Sequence, residues 1–344
     1  MPPKKPTPKP ISLNEEQQAV VNAREGRFQI LAGPGAGKTQ AISMRYAALI
    51  REGVSPDDIL SMSFTRTAAT NLSSRVEEQT GKLSINRKLA GASTYHSFAL
   101  NFILEERNDL GLELAEFPLA PEPTANRLSA KAASRFEVNP RSLRASVSLQ
   151  KRNQISPSEA IRRAESSGKS SDIKLALAYK EYDKLLRGEG VLDFDGLMEQ
   201  TVALLTKSGV IRDRHQFLYV MADESQDNSK IEWDLLKLLT QKHGNLLCVG
   251  DVSQCIYGFR GSDADLFANM SDMFPGTQTL FLACNYRSTP EIIDFIRPHA
   301  ATQDLAAKFH TPNSHGPVPV IRGFKSPQEE AEFVVQSIKN GGGP

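Results

Sequence analysis

Eight consecutive residues, Ala32-Gly-Pro-Gly-Ala-Gly-Lys-Thr39, have the types and spacing needed to hold a polyphosphate. Glycines let backbone N–H groups turn inward toward phosphate oxygens. Lys38 supplies a cation for the outer phosphates and Thr39 a hydroxyl ligand for Mg²⁺. The phosphate-loop pattern ordinarily opens with glycine, and Ala32 holds that place here. The loop follows an apolar run, Phe28–Ala32, and precedes a helical stretch, so the positive end of a helix faces the phosphates. Ala32, Gly33, Pro34, Gly35, Ala36, Gly37, Lys38, Thr39 and Gln40 are therefore the expected contacts to ATP.

A second signal is Asp223-Glu224, directly after the apolar run Phe217–Ala222. By itself an Asp-Glu pair is surface charge. In a chain with a phosphate loop, an acid at a strand end holds Mg²⁺ with Thr39, and its neighbour orients or deprotonates the attacking water. Asp223 is the expected metal ligand and Glu224 the expected base. A third cluster, Gly250 to Gly261, places Gln254 just past a strand, where it could sense the γ-phosphate. Tyr257, Phe259 and Arg260 follow it; rings beside a cation suit stacking and phosphate contact with a single strand, and equally suit a core.

These groups need a scaffold that gathers them. Phe28–Ala32, Ile59–Phe64, Phe217–Ala222, Leu246–Gly250 and Leu280–Leu282 are short apolar runs separated by helical patterns, and each leads into polar residues. That alternation predicts an α/β fold with a parallel sheet covered on both faces, its ligands at the carboxyl ends of the strands. Residues 99–190 lack clear strands and predict an all-helical insertion, splitting a core domain of 13–98 and 191–300. The insertion is locally basic at Arg135, Arg141, Arg144, Lys151, Arg152, Arg162 and Arg163, which fits a solvated helix surface or a phosphate-tracking face. Residues 1–12 form an expected disordered basic arm, with five prolines and three lysines in the first ten positions.

Composition excludes several classes. The 344 residues suffice for about two domains, and a net charge of +1 advertises no global polyanion surface. No apolar run approaches the roughly 20 residues that span a bilayer, and no secretory signal opens the chain. Cys248, Cys255 and Cys284 are too few for a disulfide framework and read as reduced thiols of a cytoplasmic protein.

Taken in order, Leu13-Asn-Glu-Glu-Gln17, the phosphate loop, Phe64-Thr-Arg-Thr-Ala-Ala69, Thr94-Tyr-His-Ser97, Leu192-Asp-Phe-Asp195, Asp223-Glu-Ser-Gln-Asp227, Gly250 to Gly261 and Asn285-Tyr-Arg-Ser-Thr289 resemble the UvrD/Rep/PcrA group of superfamily 1 DNA helicases. The resemblance covers nearly everything after the first dozen residues, and the ordered set is specific. It implies a RecA-like nucleotide domain and ATP-dependent translocation on single-stranded DNA with 3′ to 5′ polarity. Gln17 would read adenine, Tyr286 would stack on it, and Arg287 would reach the γ-phosphate. Gln254 would couple the γ-phosphate to DNA. Phe64, Thr65, His96, Phe194, Tyr257, Phe259 and Arg260 would contact the single strand. Phe259 stands where the family often has Trp, and Arg66 and Ser225 also depart from its pattern.

The family pattern continues through a second RecA-like domain. Residues 317–344 look like its first strand, Pro317–Arg322, and its first helix, Gln328–Ile338. A truncated or split motor is therefore expected, slow in hydrolysis and unable to unwind duplex alone. The alternatives are a non-motor module that holds ATP and single-stranded DNA, or a subunit completed by a second chain.

Overall fold

The computed structural model describes residues 12–107, 118–256, 258 and 261–340. Its centre is a six-stranded sheet, β1 (Arg27–Ala32), β2 (Ile59–Ser63), β3 (Gly91–Thr94), β4 (Tyr219–Ala222), β5 (Leu246–Gly250) and β6 (Gln278–Leu282), in the order β3-β2-β4-β5-β1-β6. Every pairing is parallel, with Ile30 beside Val249 on one side and Leu280 on the other. Five strands coincide with the apolar runs of the sequence. β3, Gly-Ala-Ser-Thr, has no apolar run to announce it and lies at the sheet edge.

Successive side chains of a strand point to opposite faces, and both faces are covered. Leu60, Met62, Val220, Ala222, Leu246 and Cys248 enter one core with Phe98, Phe102, Leu197 and Trp233 from the helices Tyr95–Glu106, Phe194–Lys207 and Lys230–Leu239. Ile30, Met221, Leu247 and Val249 enter the other with Val20, Ile42, Tyr46 and Leu72 from the helices Glu15–Asn22, Lys38–Arg51 and Arg66–Thr80. Such a strand has no polar face to alternate, which is why these segments read as continuous apolar runs.

A third cluster, including Leu128, Leu143, Val147, Tyr179 and Tyr182, lies wholly among the helices between residues 120 and 191. Helix Tyr95–Glu106 does not belong to it. This helix runs past residue 99, the expected start of the insertion, because Phe98, Phe102 and Ile103 recur at helical spacing and bury under the sheet.

The C-terminal run departs from expectation too. Residues 317–322 make no strand, whereas the helix Pro327–Lys339 forms as the sequence indicates. A strand needs a ladder partner, and none is paired with it; a helix satisfies its own backbone. Ser326 caps that helix by accepting from Glu329 N at 3.2 Å, and Pro327 occupies its first turn.

Candidate nucleotide and nucleic-acid site

The loop after β1 is turned by Gly35 (φ +68°) and Gly37 (φ +79°), left-handed conformations that favour glycine. Both sites are also crowded. A Cβ on Gly35 would stand 2.8 Å from Asn285 Oδ1, and one on Gly37 2.9 Å from Gln17 Nε2. Gly37 caps the helix Lys38–Arg51 without a side chain, so the first N–H groups of that helix are left to an anion.

Four side chains meet at this loop although 184 positions separate Thr39 from Asp223. Lys38 Nζ lies 3.0 Å from Glu224 Oε2, and Thr39 Oγ1 lies 3.4 Å from Asp223 Oδ2. Asp223 follows β4, and its backbone N–H still donates to Met62 of β2 at 2.9 Å. Glu224 adopts a left-handed conformation, φ +51°, which is costly for a residue with a side chain and frequent at functional sites. Burial, and then the neighbouring Glu224, push the Asp223 carboxyl up to about 6. A buried carboxylate beside a hydroxyl is a hard oxygen donor set, and its raised pKa is what a divalent cation would reverse; these residues fit Mg²⁺.

Gln226 and Asp251, which lie inside two of the sequence motifs without an expected role, extend the cluster. Gln226 Nε2 donates to Glu224 Oε2 at 3.0 Å, while its Oε1 accepts from Asp251 N at 3.0 Å. Asp251 in turn accepts from Gln254 Nε2 at 2.7 Å. An unbroken polar chain thus runs from Glu224 to Gln254. Both residues belong to the Asp223–Asp227 and Gly250–Gly261 motifs, but nothing in either motif pairs them.

The other expected nucleotide residues gather on the opposite rim. Gln17 Oε1 accepts from Asn14 N at 3.3 Å in a capping box, and Gln17 Nε2 donates to Ala36 O at 3.3 Å. Tyr286 N donates to Gly35 O at 3.1 Å, which sets the exposed Tyr286 and Arg287 side chains at the loop. Asn285 shapes this turn by accepting from Arg287 N at 2.7 Å and Ser288 N at 2.8 Å. Gln40 Oε1 accepts from Arg75 at 3.0 Å.

The expected nucleic-acid residues fall into two places. A cleft of about 330 Å³ is lined by Phe64, Thr65, Gln254 and Ile256 together with Asp223 and Glu224. Farther along, His96 and Phe194 stack with centroids 4.3 Å apart, and Phe194 remains 51% exposed. Tyr257, Phe259 and Arg260 lie outside the described residues. Thr65 caps the helix Arg66–Thr80 by accepting from Ala68 N at 3.1 Å. The ligand-type groups Glu105, Glu106 and His215 form a separate cluster, but Glu106 is bonded to Arg214 and His215, which makes it an ion-pair network.

A family model for the UvrD/REP helicase N-terminal domain matches residues 13–275. The chain belongs to this family. The ATP-dependent DNA helicase PcrA of Staphylococcus epidermidis is 32% identical over 341 residues, and that of Staphylococcus aureus 30% over 339. Each alignment covers 95% of this chain and 45% of the relative, so the chain spans less than half the length of these relatives. Among the described residues, no helix is long and apolar enough to cross a membrane.

Proposed function

We propose that this chain is the ATP-hydrolysing portion of a UvrD-type DNA translocase that binds single-stranded DNA along Phe64, Gln254 and Phe194. The observation that carries the reading is the polar chain Lys38–Glu224–Gln226–Asp251–Gln254, which joins the phosphate loop to a cleft containing Phe64. ATP would place its phosphates on Gly35 and Gly37, with adenine between Gln17 and Tyr286. Thr39 and Asp223 would hold Mg²⁺, which neutralises charge on the phosphates. Lys38 would exchange Glu224 for phosphate oxygens, releasing that carboxylate to take a proton from the attacking water. The water oxygen then bonds to the γ-phosphorus as its bond to the β–γ bridging oxygen breaks, giving ADP and phosphate. The loss of the γ-phosphate would pass from Glu224 through Gln226 and Asp251 to Gln254 in the DNA-side cleft.

In this reading the helices between residues 118 and 191 form an inserted domain, and residues 317–344 open a second RecA-like domain. Polarity is 3′ to 5′ by resemblance to the family. The exposed apolar residues Val318, Val320, Ile321 and Ile338 suit further contact with the rest of that domain or a second chain. Strand separation needs two motor domains closing on ATP, so this chain alone binds nucleotide and hydrolyses it slowly without unwinding.

The test is phosphate release with and without a poly(dT) oligonucleotide. Turnover that rises with dT and vanishes in Lys38→Ala supports the proposal. Tight binding of ATP and dT without turnover would identify a non-motor binding module. The intact set Lys38, Asp223 and Glu224 weighs against that second reading.

A further inference from the structure

The helix Pro140–Arg152 of the helical segment ends against the helices Phe194–Lys207 and Lys230–Leu239 of the α/β domain, on two consecutive basic residues. Lys151, 2% exposed, donates to Asp193 Oδ1 at 2.8 Å and lies 3.6 Å from Glu199 Oε2. Arg152 Nε donates to Asp195 Oδ1 at 3.0 Å. Burial alone would lower the Lys151 ammonium, but Asp193 and Glu199 outweigh it and hold the group charged. Glu199 is itself pushed up to about 7 by burial.

Asp193 and Asp195 flank Phe194. The Asp193 carboxylate oxygen that meets Lys151 also accepts from Gly196 N at 2.7 Å, capping the helix Phe194–Lys207. Phe194 is thus the first residue of that helix, with each neighbouring carboxylate gripped by a cation from the helical segment and its own ring half exposed on His96. The same helix end meets the other DNA-side loop. A Cβ on Gly261 would stand 3.3 Å from Leu149 Cδ1 and 3.5 Å from Arg152 Cβ. Gln154, left-handed just beyond the helix, bonds Asp234.

Buried ion pairs are poor sources of stability, because desolvation offsets their attraction and apolar packing would serve as well. What they add is direction: a hydrogen-bonded charge tolerates one geometry where an apolar contact slides. Here the direction is applied to the two residues that bracket an exposed aromatic ring.

We propose that Lys151 and Arg152 are positioning residues for single-stranded DNA, clamping Asp193 and Asp195 so that the Phe194 ring is held at the angle on which a base stacks. The inference rests on the reading of Phe194 as a base-stacking residue. The helical segment then contributes to DNA binding through its buried end, apart from any phosphate contacts of its surface arginines.

The experiment measures anisotropy of a labelled dT oligonucleotide on the full chain at fixed salt. Lys151→Met leaves two half-buried carboxylates without their cation and risks the fold, so Arg152 carries the test. Phe194→Ala is expected to weaken dT binding by about 5- to 150-fold, the range for one lost base stack. Arg152→Gln is expected to weaken it about fivefold in the parent, on the order of 1 kcal/mol, and to add nothing in the Phe194→Ala background, because both changes remove the same contact. Arg152→Lys should regain part of the loss. Binding of a fluorescent ATP analogue should stay level throughout. Arg152→Gln that leaves dT affinity unchanged, or that costs as much with Phe194 absent as with it present, overturns the positioning role alone. Phe194→Ala without effect overturns instead the reading of Phe194 on which it stands.

Discussion

Ile30 and Val249 in the sheet are fully buried, whereas Val320 and Ile321 in the C-terminal run are 87% and 80% exposed. Both regions carry short runs of Val and Ile, but residues 317–322 also include Pro317 and Pro319, which have no backbone N–H to give a ladder. In the sheet the four inner runs, β1, β2, β4 and β5, find a parallel neighbour on either side and helices on both faces. In residues 317–322 the run finds no ladder partner and forms no strand. The helix Pro327–Lys339 that follows forms regardless, since its hydrogen bonds are internal, but it buries none of its residues. Apolar pattern is thus a demand for a partner surface. It becomes a strand only when the chain supplies one, and the phosphate loop and its acids owe their placement to strands for which it did.

The largest effects are expected where that placement is tightest. Lys38→Ala removes the cation 3.0 Å from Glu224 and leaves phosphate charge without its counterpart. ATP-analogue affinity should fall by at least about 30-fold, the lower end for breaking a buried charged contact. Glu224→Gln should separate binding from chemistry: affinity is retained while turnover falls about 10²- to 10⁴-fold as the general base is lost. A Glu224→Gln chain that hydrolyses ATP at the parent rate would move the base elsewhere.

Asp223 gives a smaller effect with a definite sign. Its folded pKa of about 6 lies above the ordinary 3.8, so the fold prefers the protonated carboxyl. The stability this contributes is present in full below pH 4 and is lost as pH rises through 6. Without Mg²⁺, Asp223→Asn should therefore be more stable than the parent at pH 7, by on the order of 1–3 kcal/mol, and the gap should close toward pH 4. With Mg²⁺ and ATP the order should reverse, because the parent alone keeps the metal ligand. Thermal midpoints of both proteins at pH 4, 5, 6 and 7 check this. A gap that does not change with pH would show that the strain at this corner is not electrostatic.

What the sequence disclosed follows from the same contrast. Ala32–Thr39 and Asp223-Glu224 are legible because their chemistry is written in contiguous residues after buried strands. Gln226 and Asp251 stand inside two motifs, but only folding sets them between Glu224 and Gln254, so no local pattern gives them that role. β3 was silent because Gly91–Thr94 pairs through its backbone and has little apolar surface to declare. The helical insertion seemed to start at 99 because Tyr95–Glu106 has helical spacing, and spacing does not say which core a helix enters. Lys151 read as one of several surface cations; only its 2% exposure separates it from Arg162 and Arg163, which meet Glu159 in the open.

The smallest effect is expected from removing residues 317–344. Gly316 would be retained, and with it the bond from its N–H to Glu291 at 2.9 Å and the neighbouring His315 contact to the same carboxylate. Beyond that point Phe324 and Phe333 pack on each other at 5.3 Å and Arg322 lies over Phe333 at 4.3 Å, contacts internal to the segment. Deleting exposed structure that buries nothing in the sheet's core should change unfolding stability by no more than about 0.5 kcal/mol, and nucleotide affinity should hold. Denaturant unfolding of the shortened chain beside the parent measures both midpoint and slope. An unchanged midpoint keeps the two regions independent. A loss of several kcal/mol, with a smaller slope, would mean that Val320, Ile321 and Ile338 bury against the core in solution, and that the run at 317–322 does find a surface after all.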